Sequence, residues 1–361
     1  MHLALKTTFS IEPRANLSSS SNSLLNVQQP DNDSLLGNVT WTLSNLCRGK
    51  PQPALAMVQA AIPALCYLVC NSKVDDITTD ALWALSYISD GDDDRINAIL
   101  LADSGITKSL VKHIDSGKAQ VIAPALRILG NFVSGNEEQT QAVLDANVLG
   151  VAMKTLGCSK KNLRKEMCWL LSNISAGTQK QITTLLSSRN LADKLVTLAV
   201  EAEWETRKEA IWAVSNIFTG GSDSSVALLV NQKGIDAMVS VLDLPGENRM
   251  LLVALDAIHN MLTVSERQGY RYGVIFDECG GIEKLEDLQS HNDQQVYDKV
   301  VDIIERFFGE EEAEDENLAP TFNGNSFAFG MSSPPPAKIL FDSPEITPSS
   351  FGAMNNFNFG T

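Results

Sequence analysis

Tryptophan and asparagine recur four residues apart in this sequence, each time within an apolar segment. In a helix, two residues at that spacing lie one turn apart on the same face. An asparagine amide both donates and accepts hydrogen bonds, so it can bind the backbone of an extended peptide whatever the peptide's side chains are. Indole rings beside it can hold the aliphatic stem of a lysine or arginine and attract its cationic end. The complete pairs and their variants are Trp41/Asn45, Trp169/Asn173, Trp212/Asn216, Trp83/Tyr87 and Arg127/Asn131.

The alternative interpretation of these pairs is structural: the tryptophan belongs to the core and the asparagine bonds a helix end. Repetition argues against it. A buried asparagine amide has four hydrogen-bonding positions to satisfy, and a core does not need that residue at the same place in four units. A groove that binds an extended basic peptide does need it, so the pairs predict such a groove.

Carboxylates accompany the same segments. Asp80 and Asp90 flank Trp83, while Glu166 and Glu209 each precede a tryptophan by three residues. Taken singly, each acid is equally well explained as solvated helix surface. Because Glu166 and Glu209 occupy matching positions in neighbouring units, we interpret them as receptors for the ammonium or guanidinium groups of a peptide.

The overall charge favours the same kind of partner. The 361 residues include 44 acidic and 28 basic side chains, which gives a formal net charge of −16. An acidic surface repels phosphate backbones, so basic peptides rather than nucleic acids are the expected partners. Hydrophobic residues make up 44% of the chain, which excludes wholesale disorder and is enough for a sizeable core.

Other kinds of site find no support in the sequence. The six cysteines contain no C-x-x-C pair and lie in apolar segments, which is typical of a reducing compartment and indicates neither a disulfide framework nor a zinc site. No apolar run approaches the roughly 18 residues of a membrane span, and no secretory signal is recognisable. The chain is therefore expected to be soluble and intracellular, without a metal or a cofactor.

Enzyme motifs are missing as well. The sequence contains no G-x-G-x-x-G, G-x-x-x-x-G-K-[ST], H-E-x-x-H or G-x-S-x-G motif. The histidines lie in unlike contexts, and none pairs with a plausible nucleophile: His2, His113, His259 and His291. We therefore expect an interaction protein and not an enzyme.

The elements that must position these residues repeat at a nearly constant interval. Successive segments are 42, 44, 42, 43 and 44 residues apart when they are anchored at residues 41, 83, 127, 169, 212 and 256. A degenerate seventh unit, VVDIIERFF (300–308), closes the series. Two to three helices in about 42 residues is the length of an armadillo or HEAT unit. Stacking such units buries their apolar faces in a right-handed superhelix with a long groove.

Composition divides the chain into three regions. Residues 1–33 are polar and rich in serine and asparagine, with no period, so they are expected to be disordered. Residues 34–309 carry the helical period and form the repeats, about six to seven units. Residues 310–361 begin with the acidic run EEEAEDE and continue with serine, proline and Phe-Gly pieces, so a disordered tail is expected there.

Several segments resemble a known family. WTLSNLCRGK, ALSYISDG, PALRILGNFVSGN and RKEMCWLLSNISAG are similar to the armadillo repeats of importin-alpha, the karyopherin adaptor that binds nuclear localisation signals. GGIEKLEDLQSHNDQQVYDKVVDIIERFF, followed by an acidic stretch, resembles that family's last repeat and C-terminal end. The resemblance covers roughly residues 34–320. It implies an all-α, right-handed armadillo superhelix that binds basic cargo signals for nuclear import and shuttles between cytoplasm and nucleus.

The resemblance also implies partners and site residues. In the family, importin-beta carries the adaptor through the nuclear pore, and an export receptor holds the last repeat and its acidic extension. The larger cargo groove uses the second to fourth repeats, and the smaller groove uses the sixth to eighth. The residues that match part of the major groove are Trp41, Asn45, Arg48, Trp83, Tyr87 and Asp90. Those that match the minor groove are Arg127, Asn131, Glu166, Trp169, Asn173, Glu209, Trp212 and Asn216.

The resemblance fails at the front of the chain. The family begins with a basic segment that binds importin-beta, followed by three repeats, whereas residues 1–33 contain only Lys6 and Arg14 as cations. The chain therefore looks N-terminally truncated. The alternatives to a complete adaptor are a truncated adaptor unable to recruit importin-beta and an armadillo-type interaction scaffold without specificity for nuclear signals. A β-catenin-like scaffold fits less well, because its groove is strongly basic.

Overall fold

The computed structural model describes residues 30–244 and 246–309, together with two short strands at 321–322 and 327–328. The chain divides into two units after Gly309. The described part of the first unit consists of α-helices and one 3₁₀ turn, Gln59–Ala61. The helices are α1 (Pro30–Cys47), α2 (Leu55–Val58), α3 (Ile62–Asn71), α4 (Asp75–Ile88), α5 (Asp93–Ala102), α6 (Ile106–Asp115), α7 (Ala119–Val133), α8 (Glu137–Asp145), α9 (Leu149–Leu156), α10 (Lys161–Ser175), α11 (Gln179–Leu186), α12 (Leu191–Glu201), α13 (Trp204–Gly220), α14 (Asp223–Asn231), α15 (Gly234–Leu242), α16 (Asn248–Gln268), α17 (Tyr272–Glu278), α18 (Gly281–Leu288) and α19 (Gln294–Phe307).

From α2 onward the helices form repeating units of three, and the third helix of each unit is its longest. These third helices are α4, α7, α10, α13, α16 and α19, and α1 occupies the equivalent place before the first unit. Consecutive members of this set pack side by side, so we call them the ladder helices. The ladder helices carry all of the Trp-x-x-x-Asn pairs and their variants.

The apolar core runs along the stack because each internal ladder helix is covered on several sides. In α7, Leu126, Ile128, Leu129 and Phe132 are all fully buried although they point in different directions around the helix. The helix packs against α4 before it, against α10 after it and against α6 of its own unit. A helix that is apolar on most of its faces is stable only when neighbours cover those faces, which the stacking provides.

Close packing between two ladder helices depends on Gly130. A Cβ atom added at this residue of α7 would lie 2.1 Å from Cζ3 of Trp169 on α10. Glycine therefore leaves the space that the indole ring fills, and the ring of Trp169 packs closely against the preceding ladder helix.

Polar side chains tie each unit to the one before it. The amide nitrogen of Gln139 donates to Oδ1 of Asn97 at 2.9 Å, and that of Gln181 donates to the carbonyl of Glu137 at 3.0 Å. Both glutamines also accept a backbone N–H at the start of their own helix, as part of a capping box. Ion pairs bridge neighbouring units as well: Lys118–Asp75 at 2.7 Å, Lys154–Asp115 at 2.6 Å and Arg164–Glu203 at 2.7 Å.

The predicted all-α repeat solenoid is confirmed. Two local expectations need correction. Helix α1 begins at Pro30 and not at residue 34, in keeping with the preference of proline for the first turn of a helix. In the expected disordered tail, Thr321–Phe322 and Phe327–Ala328 form a two-residue antiparallel pair. The rest of the two predicted disordered segments, including the acidic run, lies outside the described residues.

No single helix in the described part of the chain is long and apolar enough to cross a membrane. The bent pair α14 and α15 meets the length and composition test only when the two helices are taken together.

Candidate functional site

The predicted anchor residues occupy equivalent positions on successive ladder helices. Trp41 lies on α1, Trp83 on α4, Arg127 on α7, Trp169 on α10 and Trp212 on α13. Trp41 is 59% exposed, and the other three indoles are half-buried. The fold therefore brings into one row the side chains that the sequence separates by about one unit each.

The asparagines form a second row with a regular hydrogen-bond pattern. Nδ2 of Asn131 donates to the carbonyl of Ser86 at 3.1 Å and to Oγ of Ser89 at 2.9 Å. Nδ2 of Asn173 donates to the carbonyl of Gly130 at 3.4 Å. In the next unit, Nδ2 of Asn216 donates to the carbonyl of Ser172 at 3.0 Å. Each amide nitrogen thus bonds the C-terminal part of the preceding ladder helix.

This pattern corrects one step of the sequence argument. The core does use an asparagine at the same place in several units, because its amide nitrogen ties one ladder helix to the next. Among the described residues, Oδ1 of these three asparagines accepts no hydrogen bond. That oxygen remains free to accept a hydrogen bond from a ligand.

Two asparagines at the ends of the row differ from the others. Nδ2 of Asn45 donates to the carbonyl of Trp41 in its own helix at 3.0 Å, since no ladder helix precedes α1 in the described part of the chain. Asn260 on α16 donates to the carbonyl of Phe218 and extends the row by one unit. Asn260 was not among the residues predicted from the sequence, although its spacing of four from the anchor Asp256 could have identified it.

Glu166, predicted as a receptor for a peptide cation, already holds a cation of its own chain. Nε of Arg127 donates to one of its oxygens at 2.9 Å, and Nη2 donates to the other at 2.6 Å. The Glu166 side chain is 4% exposed, and Lys165 lies 3.6 Å away. The Arg127 guanidinium also lies over the Trp169 ring, 5.5 Å from its centroid. Arg127, Glu166 and Trp169 therefore form one interlocked cluster.

Glu209 has no such bidentate partner among the described residues. Burial raises the pKa of its carboxyl group, and the nearby Lys165 and Lys208 partly oppose that rise. Its neighbour Trp212 carries the Arg249 guanidinium at 5.2 Å from the ring centroid. Arg249 was not predicted from the sequence. Its only signal there is a cation in the first turn of the following ladder helix.

Three of the matches to the major groove, Trp83, Tyr87 and Asp90, lie in the second half of α4 and just after it. The rings of Trp83 and Tyr87 stack at 5.9 Å between centroids. Nε2 of Gln52 donates to the carbonyls of Tyr87 and Asp90, at 2.6 Å and 2.5 Å, which ties the loop after α1 to the end of α4. Near the start of the anchor segment, burial raises the pKa of Asp80 and the charge of Asp76 adds to the rise.

A cavity of about 490 Å³ opens beside this cluster. It is lined by Cys47, Arg48, Gly49, Lys50, Gln52, Trp83, Ser86, Tyr87, Asp90 and Arg127. Four of the predicted major-groove residues and one predicted minor-groove residue therefore share one space. Within the described ranges, no group of three or more histidine, cysteine, aspartate or glutamate side chains could hold a metal ion.

Family models match three parts of the chain. The armadillo/beta-catenin-like repeat matches residues 50–90 and 136–176, and the atypical Arm repeat matches residues 271–321. Together with the three-helix units, these matches define the chain as an armadillo-repeat protein.

Among armadillo-repeat proteins, the importin alpha subunits are similar to this chain. Importin subunit alpha-3 of Arabidopsis thaliana is 39% identical over 320 residues, which is 85% of this chain and 59% of that protein. Importin subunit alpha-1a of Oryza sativa subsp. japonica is 39% identical over 310 residues, which is 82% of this chain and 58% of that protein. The chain is a homologue of the importin alpha subunits and spans less than two thirds of their length.

Solved structures agree with the armadillo fold. A designed armadillo repeat protein in complex with the peptide (KR)4 superposes with a TM-score of 0.60 at 29% identity, covering 68% of this chain and 99% of the designed one. A computationally designed armadillo repeat protein for modular peptide recognition gives a TM-score of 0.61 at 27% identity, with the same coverage.

Proposed function

We propose that this chain is a nuclear-import adaptor that binds basic nuclear localisation signals of cargo proteins along its ladder helices. The observation that carries the proposal is the row of accessible indoles and asparagines on successive ladder helices of a chain homologous to the importin alpha subunits. The designed armadillo protein that binds a lysine–arginine peptide supports the same use of such a surface.

The chemistry of the row suits an extended basic peptide. Asn131, Asn173 and Asn216 each use their nitrogen to hold the preceding ladder helix and offer their oxygen to a peptide N–H. Alternate peptide side chains lie between successive indoles, where lysine or arginine stems gain contact and cation–π attraction. The net charge of −16 attracts such peptides over a distance of about 8–10 Å at physiological salt.

The minor-groove indoles each have one face engaged by an arginine of the chain itself. Arg127 lies over Trp169 and Arg249 lies over Trp212. A peptide cation therefore uses the other face of each ring. The carboxylate best placed to receive it is Glu209, because Glu166 is already neutralised by Arg127.

A direct binding measurement tests the proposal. The full chain is titrated into a fluorescent peptide carrying two lysine–arginine clusters, and the dissociation constant is read from fluorescence anisotropy. We expect binding that weakens as salt rises, while a peptide of the same length with acidic clusters does not bind. Equal affinity for the acidic peptide or a neutral one would favour a scaffold without signal specificity.

The proposed adaptor acts with importin-beta, is recycled by an export receptor, and shuttles between cytoplasm and nucleus. The acidic run Glu310–Glu316, which the export receptor would contact, lies outside the described residues. Following the fluorescently tagged full chain in living cells tests the shuttling part of the proposal. Accumulation in both compartments is expected, and strict exclusion from the nucleus would contradict it.

A further inference from the structure

We propose that Lys299 fills, from within the chain, a cation subsite formed by Asp256 and Asn260 on α16, and that it thereby ends the row of peptide subsites at α13. This proposal rests on the proposed function, because it concerns a basic peptide that already lies along the ladder helices. It adds to that function a residue that determines how many basic side chains of the peptide are bound.

The first observation is that the row continues onto α16, although without an indole. Asp256 lies 44 residues after Trp212, and Asn260 lies 44 residues after Asn216. Nδ2 of Asn260 bonds the preceding ladder helix, as Nδ2 of Asn216 does. Because Asp256 and Asn260 are four residues apart, they share one face of α16. This helix therefore keeps the asparagine of the row and replaces the indole with a carboxylate.

A carboxylate and an amide oxygen at this spacing suit the cationic end of a peptide side chain. Asp256 is exposed, and Asn260 is half-buried. Within the described part of the chain, Oδ1 of Asn260 accepts no hydrogen bond. A lysine ammonium has three donors and an arginine guanidinium has five, so either group can bond the carboxylate and the amide oxygen together. The pair thus has the chemistry of a subsite for lysine or arginine.

The cation that occupies this place comes from the next ladder helix. Lys299 is the anchor of α19, 43 residues after Asp256, and its Nζ donates to Oδ1 of Asp256. The side chains are 39% and 49% exposed, respectively, so their contact lies at the accessible surface of the ladder. At the position of α19 that corresponds to Asn260 stands the buried Ile303. The asparagine row therefore ends at α16, where the chain supplies its own cation.

Two further contacts join the same two helices. Nε2 of His259 lies 3.4 Å from Oδ2 of Asp302, and Nη2 of Arg306 lies 3.5 Å from Oε2 of Glu266. All four side chains are at least one third exposed. Together with the ion pair of Lys299, these contacts link α16 to α19 across their accessible faces. A peptide that follows the row therefore meets paired charges here.

The ion pair decides the sign of the effect on a peptide. Asp256 and Lys299 together carry no net charge, so a peptide cation gains the carboxylate only by displacing Lys299. Removing Lys299 frees the carboxylate and should therefore add a subsite to the row. Because exposed ion pairs contribute little to stability, the fold should tolerate the change.

The test measures binding of three fluorescent peptides of equal length by the full chain, unaltered and as Lys299→Met. Each peptide has the same central basic cluster. The reference peptide has two serines on either side of it, and the other two carry lysines in place of the N-terminal or the C-terminal serines. We expect Lys299→Met to increase the advantage of one lysine-extended peptide over the reference by about fivefold, read as a ratio of dissociation constants from fluorescence anisotropy.

Two variants locate the effect. Adding Asp256→Asn to Lys299→Met removes the freed carboxylate and should abolish the gain. Lys284→Met removes a lysine from the ion pair Lys284–Asp243, which lies outside the ladder helices, and should leave the ratio unchanged. It is the matched control for the change in net charge. Circular dichroism verifies that each variant is folded.

Each remaining outcome contradicts a particular claim. An unchanged ratio for both extended peptides in Lys299→Met overturns the subsite while leaving basic-peptide binding in place. A gain that persists with Asp256→Asn, or that Lys284→Met reproduces, overturns the assignment to this carboxylate. Failure of all three peptides to bind the unaltered chain overturns the proposed function, and the subsite with it.

Discussion

At the scale of single residues, the ladder asparagines have a structural role, and the proposed function gives the same amide group a role in binding. Their nitrogen holds the preceding ladder helix, so replacing them affects packing as well as binding. Replacing an indole separates the effect on binding from the effect on packing better than replacing an asparagine does. The reason is that Trp169 and Trp212 remain half-exposed on the row. They are therefore the more informative positions for testing the groove.

Changing Trp169→Ala together with Trp212→Ala should weaken binding of a basic peptide by about 1–2 kcal/mol for each indole, which is the scale of cation–π and stem contacts. For one indole this corresponds to a roughly fivefold to thirtyfold change in the dissociation constant. Anisotropy titration measures it. Trp204→Leu removes an indole that is not part of the row and should leave the affinity unchanged. Unaltered affinity in the double variant would place the groove elsewhere.

At the scale of helices, two contacts decide how closely neighbouring units approach. The first is the contact of Gly130 on α7 with the Trp169 ring on α10. The second is the pair Arg164–Glu203, which joins α10 to the start of α13 at 2.7 Å. Each of these two contacts leads to a separate prediction about the stability of the fold.

Gly130→Ala should destabilise the fold by about 1–3 kcal/mol, because the added methyl group overlaps the indole ring and forces it to move. Chemical denaturation followed by circular dichroism measures the loss. Gly37→Ala is the matched control: a Cβ there lies 3.8 Å from Ile77, an ordinary contact, so the helix propensity of alanine should make it neutral or slightly stabilising. Equal effects of the two changes would refute the packing argument.

Glu203 should make stability depend on pH. The hydroxyl of Thr206 and the guanidinium of Arg164 lower the pKa of its carboxyl group to about 2, from an ordinary value of 4.5. Because folding favours the ionised form, Glu203 stabilises the protein above about pH 4.5 and loses that contribution as the pH falls toward 2.

Melting temperatures of the unaltered chain and of Glu203→Gln should therefore differ at pH 7 and converge as the pH is lowered from 5 toward 3. Glu201→Gln, at an exposed carboxylate outside any ion pair of the described residues, controls for the loss of one charge. A gap that stays constant with pH would exclude the carboxylate as its source.

At the scale of the whole molecule, the ladder is a linear array in which each unit mainly contacts its neighbours. Every ladder helix ends at or before Phe307, ahead of the division after Gly309. The array should therefore keep its structure, and with it the proposed peptide groove, without the segment that follows.

A chain ending at Gly309 should retain its helical signal and bind the basic peptide within about twofold of the full chain, a difference of about 0.4 kcal/mol, because all the ladder helices are kept. Circular dichroism and anisotropy check both expectations. A chain ending at Gly269 instead loses the last unit and uncovers α16, so its melting temperature should fall. Loss of peptide binding in the first truncation would show that residues after 309 contribute to the groove.

The amino-acid sequence by itself determined the period, the helical class and the common face of the anchor residues. Apolar residues at helical spacing, repeated every 42 to 44 residues, leave few ways to bury their surface other than stacking. The same reasoning placed Trp169 and Asn173 on one face of one helix, because residues four apart must lie there. These are short-range consequences of helix geometry.

Only the tertiary structure decided which atoms meet between units. It paired Arg127 with Glu166, 39 residues later, laid Arg249 over Trp212, and directed the nitrogen of Asn216 to the carbonyl of Ser172, 44 residues earlier. The periodicity indicates that neighbouring units stack, but their relative rotation and rise set which side chains come within bonding distance. Those quantities follow from the packing of whole helices, and no local spacing in the sequence encodes them.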